Sequence, residues 1–157
     1  MNTLILARAL HVLSVLTWIG GLSLVTSAVL PALRCGDLDA DPLRAFAAIE
    51  RRFVWQARVA VLLAGVTGFY MVMRLDLWSR FRTANFWWMH AMLGVWLIFA
   101  LALFVIEPLG LHRRLRNARS ATPEAILSRL QRVHLVLLVL ALVTVFGAVA
   151  GSHGWVS

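Results

Sequence analysis

The chain has 157 residues, of which 61% are hydrophobic and only 14% are charged, and its mean hydropathy is +0.83. This composition is too apolar for a water-soluble domain of this size, so we expect an integral membrane protein surrounded by a lipid bilayer. The basic residues are all arginine and give a net charge of +8. The lack of lysine excludes Schiff-base chemistry, and the apolar composition argues against a nucleic-acid partner.

Four apolar stretches are long enough to cross a bilayer as helices, and we call them spans one to four. They cover about residues 4–33, 53–73, 86–111 and 123–150. The first is too long for a signal peptide and is expected to remain in the mature protein. Asp41-Pro42 and Thr122-Pro123 are typical helix starts, each expected to lead directly into the following span. The sequence therefore predicts one all-α domain, residues 1–157, folded as a four-helix transmembrane bundle.

Arginines are distributed unevenly among the three connections between spans. The second connection holds three of them, whereas the first and third together hold ten: Arg34, Arg44, Arg51, Arg52, Arg113, Arg114, Arg116, Arg119, Arg129 and Arg132. Because positive residues favour the cytoplasmic side, both termini are expected on the outer, periplasmic side of a bacterial inner membrane.

Two histidines lie inside the apolar spans near this outer side. A single cysteine, Cys35, cannot form an internal disulfide, so redox or metal chemistry depends on histidine, methionine or a bound cofactor. His11 in span one and His90 in span three lie about 10 Å and about 6 Å from the outer ends of their helices. Two imidazoles on facing helices can hold a haem through its axial positions. The alternative is that both histidines only form interhelical hydrogen bonds.

The helical neighbours of these two histidines fit a flat macrocycle. Tryptophan supplies a rigid apolar wall, glycine leaves room, and an arginine one turn outward can pair with propionates. The expected cofactor-binding residues are therefore His11, His90, Arg8, Trp18, Gly21, Trp87 and Gly94, with Arg74 or Arg80 as further partners of the propionates.

A copper site is the alternative to haem at the same end of the bundle. Mixed imidazole and thioether ligands suit copper, and His153, Met71 and Met73 are predicted to lie near the same outer face as His11 and His90. The remaining histidines, His112 and His134, are expected to be solvated at the membrane boundary.

Two charged residues lie within the opposite half of the membrane. Arg58 in span two and Glu107 in span three are both about one or two turns from the cytoplasmic boundary. The sequence therefore predicts an ion pair between these two spans.

A family resemblance is carried by three segments. Arg8-Ala9-Leu10-His11, followed by Trp18-Ile19-Gly20-Gly21, resembles the first helix of the HemJ-type protoporphyrinogen oxidases and of the related copper resistance protein D (CopD) membrane domains. Glu50-Arg51-Arg52-Phe53 and Trp87-Trp88-Met89-His90 continue it. The resemblance implies a membrane oxidoreductase that binds haem b through His11 and requires His90. Met92 stands where the family has the lysine of its His-x-Lys motif, so protoporphyrinogen oxidation is left open.

Three functional hypotheses follow. The first is a b-type cytochrome that transfers electrons to or from a quinone, a porphyrinogen or a periplasmic redox protein. The second is a CopD-like copper-binding or copper-transport protein, and the third is a membrane scaffold without a cofactor. A homodimer is expected through Gly147 and Gly151 of span four, which have GxxxG spacing.

Overall fold

The computed structural model describes residues 2–37, 41–109 and 122–153, and the regular elements in these ranges are all helical. Four helical spans are long and apolar enough to cross a membrane: Asn2–Cys35, Pro42–Arg74, Ala84–Ile106 and Pro123–Ser152. The predicted all-helical, four-span membrane protein is therefore confirmed. The expected end of span three at residue 111, His112 and the four arginines at positions 113, 114, 116 and 119 lie outside the described residues.

Both predicted helix starts are present. The Asp41 carboxylate accepts a hydrogen bond from the backbone N–H of Arg44 at 3.1 Å, and the Thr122 hydroxyl oxygen accepts one from Ala125 at 3.4 Å. A proline occupies the first turn of each helix, where its missing N–H leaves no bond unmade. Spans two and four therefore begin as helices before their apolar parts.

Spans one and two form an antiparallel hairpin. At one end, the Tyr70 hydroxyl donates to Thr3 Oγ1 at 3.1 Å. Farther along, the Phe53 ring occupies the space beside Gly21, so closely that a Cβ atom added at Gly21 would overlap the ring. Because early residues of span one meet late residues of span two, the two helices run in opposite directions.

Spans three and four form a second antiparallel hairpin. The Trp87 ring lies over Gly147, and the Trp88 ring lies over Gly151, with each ring within 2.5 Å of where a glycine Cβ would be. The absence of a side chain at these two glycines therefore allows the tryptophans to approach the span-four backbone.

One of the hydrogen bonds between the two hairpins lies at the end that carries the first connection. Arg34 in span one donates from Nη1 to Oε1 of Gln131 in span four at 2.6 Å. We call this the basic end of the bundle, and the opposite end, where span one begins and span four finishes, the terminal end. Which end faces the cytoplasm remains a prediction from the distribution of arginines.

Two short π-helical segments interrupt the odd-numbered spans close to the basic end. They cover Val25–Val29 and Ala102–Ile106. In each case a single residue separates the end of the segment from a proline, Pro31 or Pro108. A proline inside a membrane helix leaves a carbonyl without its usual N–H donor, and local π-helical adjustment is one way of accommodating it. Spans one and three therefore share the same local structure, a π-helical segment shortly before a proline.

The core consists of two clusters of buried apolar side chains. The cluster in the middle of the bundle draws on all four spans, and the cluster at the basic end joins spans one, two and four. Most other large apolar residues are exposed on the outer faces of the helices, as expected for surfaces that contact lipid. The members of the first cluster are Trp18, Leu22, Ala60, Val61, Phe99 and Leu138, and those of the second are Val25, Leu30, Leu33, Phe46, Leu127 and Leu130.

Candidate functional site around His11

The His11 imidazole is half-buried against span two. Its Nδ1 lies 2.9 Å from the carbonyl oxygen of Ala64 and 3.2 Å from Oγ1 of Thr67. A carbonyl oxygen can only accept, so Nδ1 carries the hydrogen. The Thr67 hydroxyl donates to the Leu63 carbonyl at 2.6 Å, which leaves its own oxygen free to accept from His11. Both contacts therefore require the same tautomer of His11.

This tautomer leaves the other ring nitrogen, Nε2, with an available lone pair. No residue in the described ranges forms a hydrogen bond to Nε2. Histidines that bind metals commonly donate their second ring N–H to a backbone carbonyl, which fixes the tautomer and the ring orientation. The Ala64 carbonyl accepts from Nδ1 of His11 in the same way, and this bond fixes the tautomer that ligation through Nε2 would require.

Small residues on span two allow His11 to lie this close. Ala60 and Ala64 are buried, and Gly68 follows at the same four-residue spacing. A Cβ atom at Gly68 would lie 3.2 Å from Cε1 of His11. The sequence analysis did not identify these residues, although small residues at four-residue spacing are a known signal of close helix packing in membranes.

His90 is held by a different part of the chain. It is exposed, and its Nε2 donates to the carbonyl oxygen of Phe81 at 3.0 Å. The Phe81 and His90 rings also meet edge to face, with centroids 5.4 Å apart. Phe81 belongs to the short 3₁₀ helix Leu77–Arg82 in the second connection. His11 therefore contacts span two and His90 contacts the second connection, so the structure does not bring these two imidazoles together.

The expected haem-facing tryptophans pack against neighbouring spans. Trp18 is buried and meets Phe99 of span three edge to face, with centroids 4.6 Å apart. Trp87 covers Gly147 of span four, and the room beside Gly21 is filled by Phe53. These three contacts take up much of the space that a macrocycle was expected to use.

Two observations are compatible with a ligand near these helices: open space beside Gly94 and an unpaired donor on Trp18. A Cβ atom added at Gly94 would have no neighbour within 4 Å. The indole N–H of Trp18 is buried without a hydrogen-bond partner, the one such side-chain atom identified in the described ranges. Since buried polar groups are normally hydrogen-bonded, the unpaired N–H of Trp18 is a feature that helix packing alone does not explain.

The arginines expected near the propionates lie at or close to the terminal end. Arg8, Arg74 and Arg80 are all exposed, and the Arg80 guanidinium lies over the Phe86 ring at 5.0 Å from its centroid. They are therefore accessible to an anionic group at the rim of the bundle.

The residues named for copper do not form a cluster with other common metal ligands. In residues 2–37, 41–109 and 122–153, no three His, Cys, Asp or Glu side chains are close enough to hold one metal ion. Nδ1 of His153 bonds to the Val149 carbonyl at 2.8 Å, while Met71 is half-buried and Met73 is exposed. Nothing in this geometry favours copper over haem.

The predicted ion pair at the basic end is confirmed. Arg58 Nη2 lies 2.5 Å from Oε2 of Glu107, and Arg58 Nε donates to the Leu103 carbonyl at 3.0 Å. Both side chains retain partial exposure, so the pair lies outside the buried core. This arrangement joins spans two and three and has no direct contact with His11.

The glycines expected at a dimer interface are covered by tryptophan side chains of the same chain. Gly147 is buried under Trp87, and Gly151 lies under Trp88. A second copy could reach this face only if both tryptophans moved away. The expectation of a homodimer through these glycines is therefore not supported by the packing of span four.

Comparisons with protein-family models, curated proteins and solved structures find no match for this chain. The HemJ and CopD resemblance therefore rests on the quoted segments alone. The geometry that carries chemical information is the orientation of His11.

Proposed function

We propose that this chain is an integral-membrane haem protein that uses His11 as an axial ligand. The observation that carries this proposal is the hydrogen bond from Nδ1 of His11 to the Ala64 carbonyl. It leaves the Nε2 lone pair available inside an apolar bundle, where a histidine without a functional partner is costly. When bound, haem b supplies one-electron chemistry that none of the amino-acid side chains near His11 can provide.

The residues around His11 fit such a group in part. Thr67 and Ala64 fix the ring, and the unpaired N–H of Trp18 lies two helical turns along the same face of span one. Arg8 is exposed one turn towards the terminal end, at a position suited to an anionic substituent. These residues bind, orient and neutralise; the redox chemistry belongs to the haem.

His90 is our candidate for a second axial ligand. In the structure its Nε2 is engaged by the Phe81 carbonyl, so service as a ligand requires that bond to break. Closing both axial positions would favour electron transfer over oxygen binding. With His11 alone, one position would stay open to another ligand.

Visible absorption spectra of the purified chain, oxidised and dithionite-reduced, test the proposal. We expect a Soret band that is lost in His11→Ala and changed in position or intensity in His90→Ala. His134→Ala is the matched control, because its Nδ1 also bonds to a backbone carbonyl, that of Leu130, but on span four near the basic end. A wild-type spectrum without a Soret band, or an unchanged band in His11→Ala, would contradict the proposal.

Copper binding would give a different result. Elemental analysis would find about one copper per chain with no haem spectrum, and the metal would be lost when His153, Met71 and Met73 are replaced. A chain that contains neither haem nor metal would favour the scaffold hypothesis. Both outcomes overturn the haem proposal.

A further inference from the structure

An open groove runs along the outside of the first hairpin, between spans one and two. It has a volume of about 430 Å³, and its lining does not include His11 or the two residues that His11 contacts, Ala64 and Thr67. Leu10 and Leu13 form one wall, and Val59 and Leu63 form the other. All four side chains are exposed, so the groove faces the surrounding bilayer.

The groove is polar at specific points. The hydroxyl of Ser14 donates to the Leu10 carbonyl at 2.7 Å, and that of Thr17 donates to the Leu13 carbonyl at 2.8 Å. Their protons are therefore engaged within the helix, while their oxygens still have lone pairs that can accept. These two hydroxyl groups lie on the span-one side of the groove.

Gln56 supplies the uncommitted hydrogen-bonding group of the groove. It lines the groove from span two, is exposed, and has no hydrogen-bond partner in the described part of the chain. Its side-chain amide can both donate and accept, so it can bond to either a carbonyl or a hydroxyl oxygen of a ligand. The groove therefore suits a ligand that offers a hydrogen-bonding oxygen at the level of Gln56.

Two further properties limit the chemistry of this ligand. None of the residues that line the groove is charged, so it lacks the cationic side chain that would pair with a phosphate group. Trp55, next to Gln56, is 69% exposed and presents a flat aromatic surface at the same end of the groove. An uncharged, flat head with oxygen substituents and an apolar tail meets both conditions.

We propose that this groove binds an isoprenoid quinone, with its head at Gln56 and Trp55 and its tail along Leu13 and Leu63. The Gln56 amide donates to a quinone carbonyl and can equally accept from the hydroxyl of the reduced form. The Trp55 ring packs against the head, because aromatic rings favour offset or edge contacts with one another. This binding requires no haem, so it stands independently of the proposed function.

The test is direct binding of decylubiquinone to the purified full-length chain in quinone-free detergent, measured by isothermal titration calorimetry. We expect saturable binding that weakens at least tenfold in Gln56→Leu, which keeps the volume of the side chain but removes the amide. Leu63→Trp, which fills the groove, should abolish binding. Leu62→Trp is its matched control, because Leu62 immediately precedes Leu63 in span two, is 56% exposed, and does not line the groove.

Several outcomes would overturn the quinone proposal. They are absence of saturable binding to the wild type, equal affinity in Gln56→Leu, and equal loss in the two tryptophan variants. Competition by dodecanol as strong as that by decylubiquinone would identify a general site for alkyl chains instead. His11→Ala separates the two proposals, since it should remove the Soret band and leave quinone binding unchanged.

Discussion

Arg58 of span two donates from Nε to the backbone carbonyl of Leu103 in span three. In the π-helical segment Ala102–Ile106, the N–H of Glu107 bonds back five residues to Ala102, so the next bond in this pattern would run from residue 108 to Leu103. Pro108 has no N–H to give. The Arg58 guanidinium therefore replaces a missing backbone donor while its other arm pairs with Glu107.

Replacing Arg58 should destabilise the bundle through two losses at once. Arg58→Met leaves the Leu103 carbonyl without a donor and Glu107 without its cation, and we expect a loss of about 1–3 kcal/mol in unfolding free energy. The stability of Arg58→Lys should lie between those of the wild type and Arg58→Met, because lysine retains the charge but lacks the two-armed guanidinium. Reversible unfolding in sodium dodecyl sulfate measures the effect. Adding Glu107→Gln to Arg58→Met should recover part of it; full stability of Arg58→Met alone would contradict this interpretation.

Gly68→Ala should disturb His11 without emptying any part of the core. The new Cβ would lie 3.2 Å from Cε1 of the imidazole, so the ring must shift by a few tenths of an ångström and its bond to Ala64 must weaken. Gly20→Ala is the control, since a Cβ there has no neighbour within 4 Å. Both changes improve helix propensity by up to about 1 kcal/mol. The thermal midpoint of Gly68→Ala should therefore fall below that of Gly20→Ala; equal midpoints would show that the His11 position has no energetic consequence.

Leucine at Gly147 or Gly151 should force apart spans three and four. Each added Cβ would lie 2.5 Å from a tryptophan ring, which is far inside van der Waals contact. Overpacking of this kind costs about 1–3 kcal/mol. Gly94→Leu in span three is the control. If the first two variants unfold at the same detergent concentration as Gly94→Leu, the close contacts of Trp87 and Trp88 do not hold this hairpin together.

Two tryptophans can be compared directly, because the indole N–H of one is hydrogen-bonded and that of the other is not. Trp96 Nε1 donates to the Val61 carbonyl at 2.8 Å, whereas the buried Nε1 of Trp18 has no partner among the residues that the structure describes. Replacement by phenylalanine removes similar apolar volume at both sites but a hydrogen bond only at Trp96. We expect Trp96→Phe to lose about 1 kcal/mol more stability than Trp18→Phe in chemical unfolding of the cofactor-free chain. A larger loss for Trp18→Phe would overturn this assignment.

Cys35 provides a direct test of orientation. It is the one cysteine of the chain and is exposed at the basic end, which the arginine distribution places in the cytoplasm. A membrane-impermeant maleimide should label it only after cells are permeabilised. In a Cys35→Ser background, a cysteine replacing the exposed Ser79 of the second connection should react in intact cells. The reverse pattern would invert the predicted topology.

Much of the architecture was accessible from the sequence because membrane helices have strong local signals. Apolar length predicted the four spans, and the proline-containing caps predicted the starts at Pro42 and Pro123. The Arg58–Glu107 pair was also predictable, since two opposite charges at one depth of an apolar bundle have few other partners.

The candidate site was harder to predict, because depth in the membrane does not fix the direction of a side chain. His11 and His90 belong to the same half of the bundle by residue count, yet His11 faces Ala64 on span two and His90 faces Phe81. Which neighbour a helix face meets depends on rotation about the helix axis. The signal for that rotation was the small-residue spacing of Ala60, Ala64 and Gly68, on span two rather than on the spans that carry the histidines.

The division into two hairpins has a consequence for biogenesis. Each hairpin closes with its own interlocking contacts, Phe53 against Gly21 in the first and Trp87 against Gly147 in the second. In a chain whose first hairpin forms before it meets the second, His11 would therefore bond to Ala64 before spans three and four dock. The Arg34–Gln131 and Arg58–Glu107 contacts link one hairpin to the other and belong to the later step of docking.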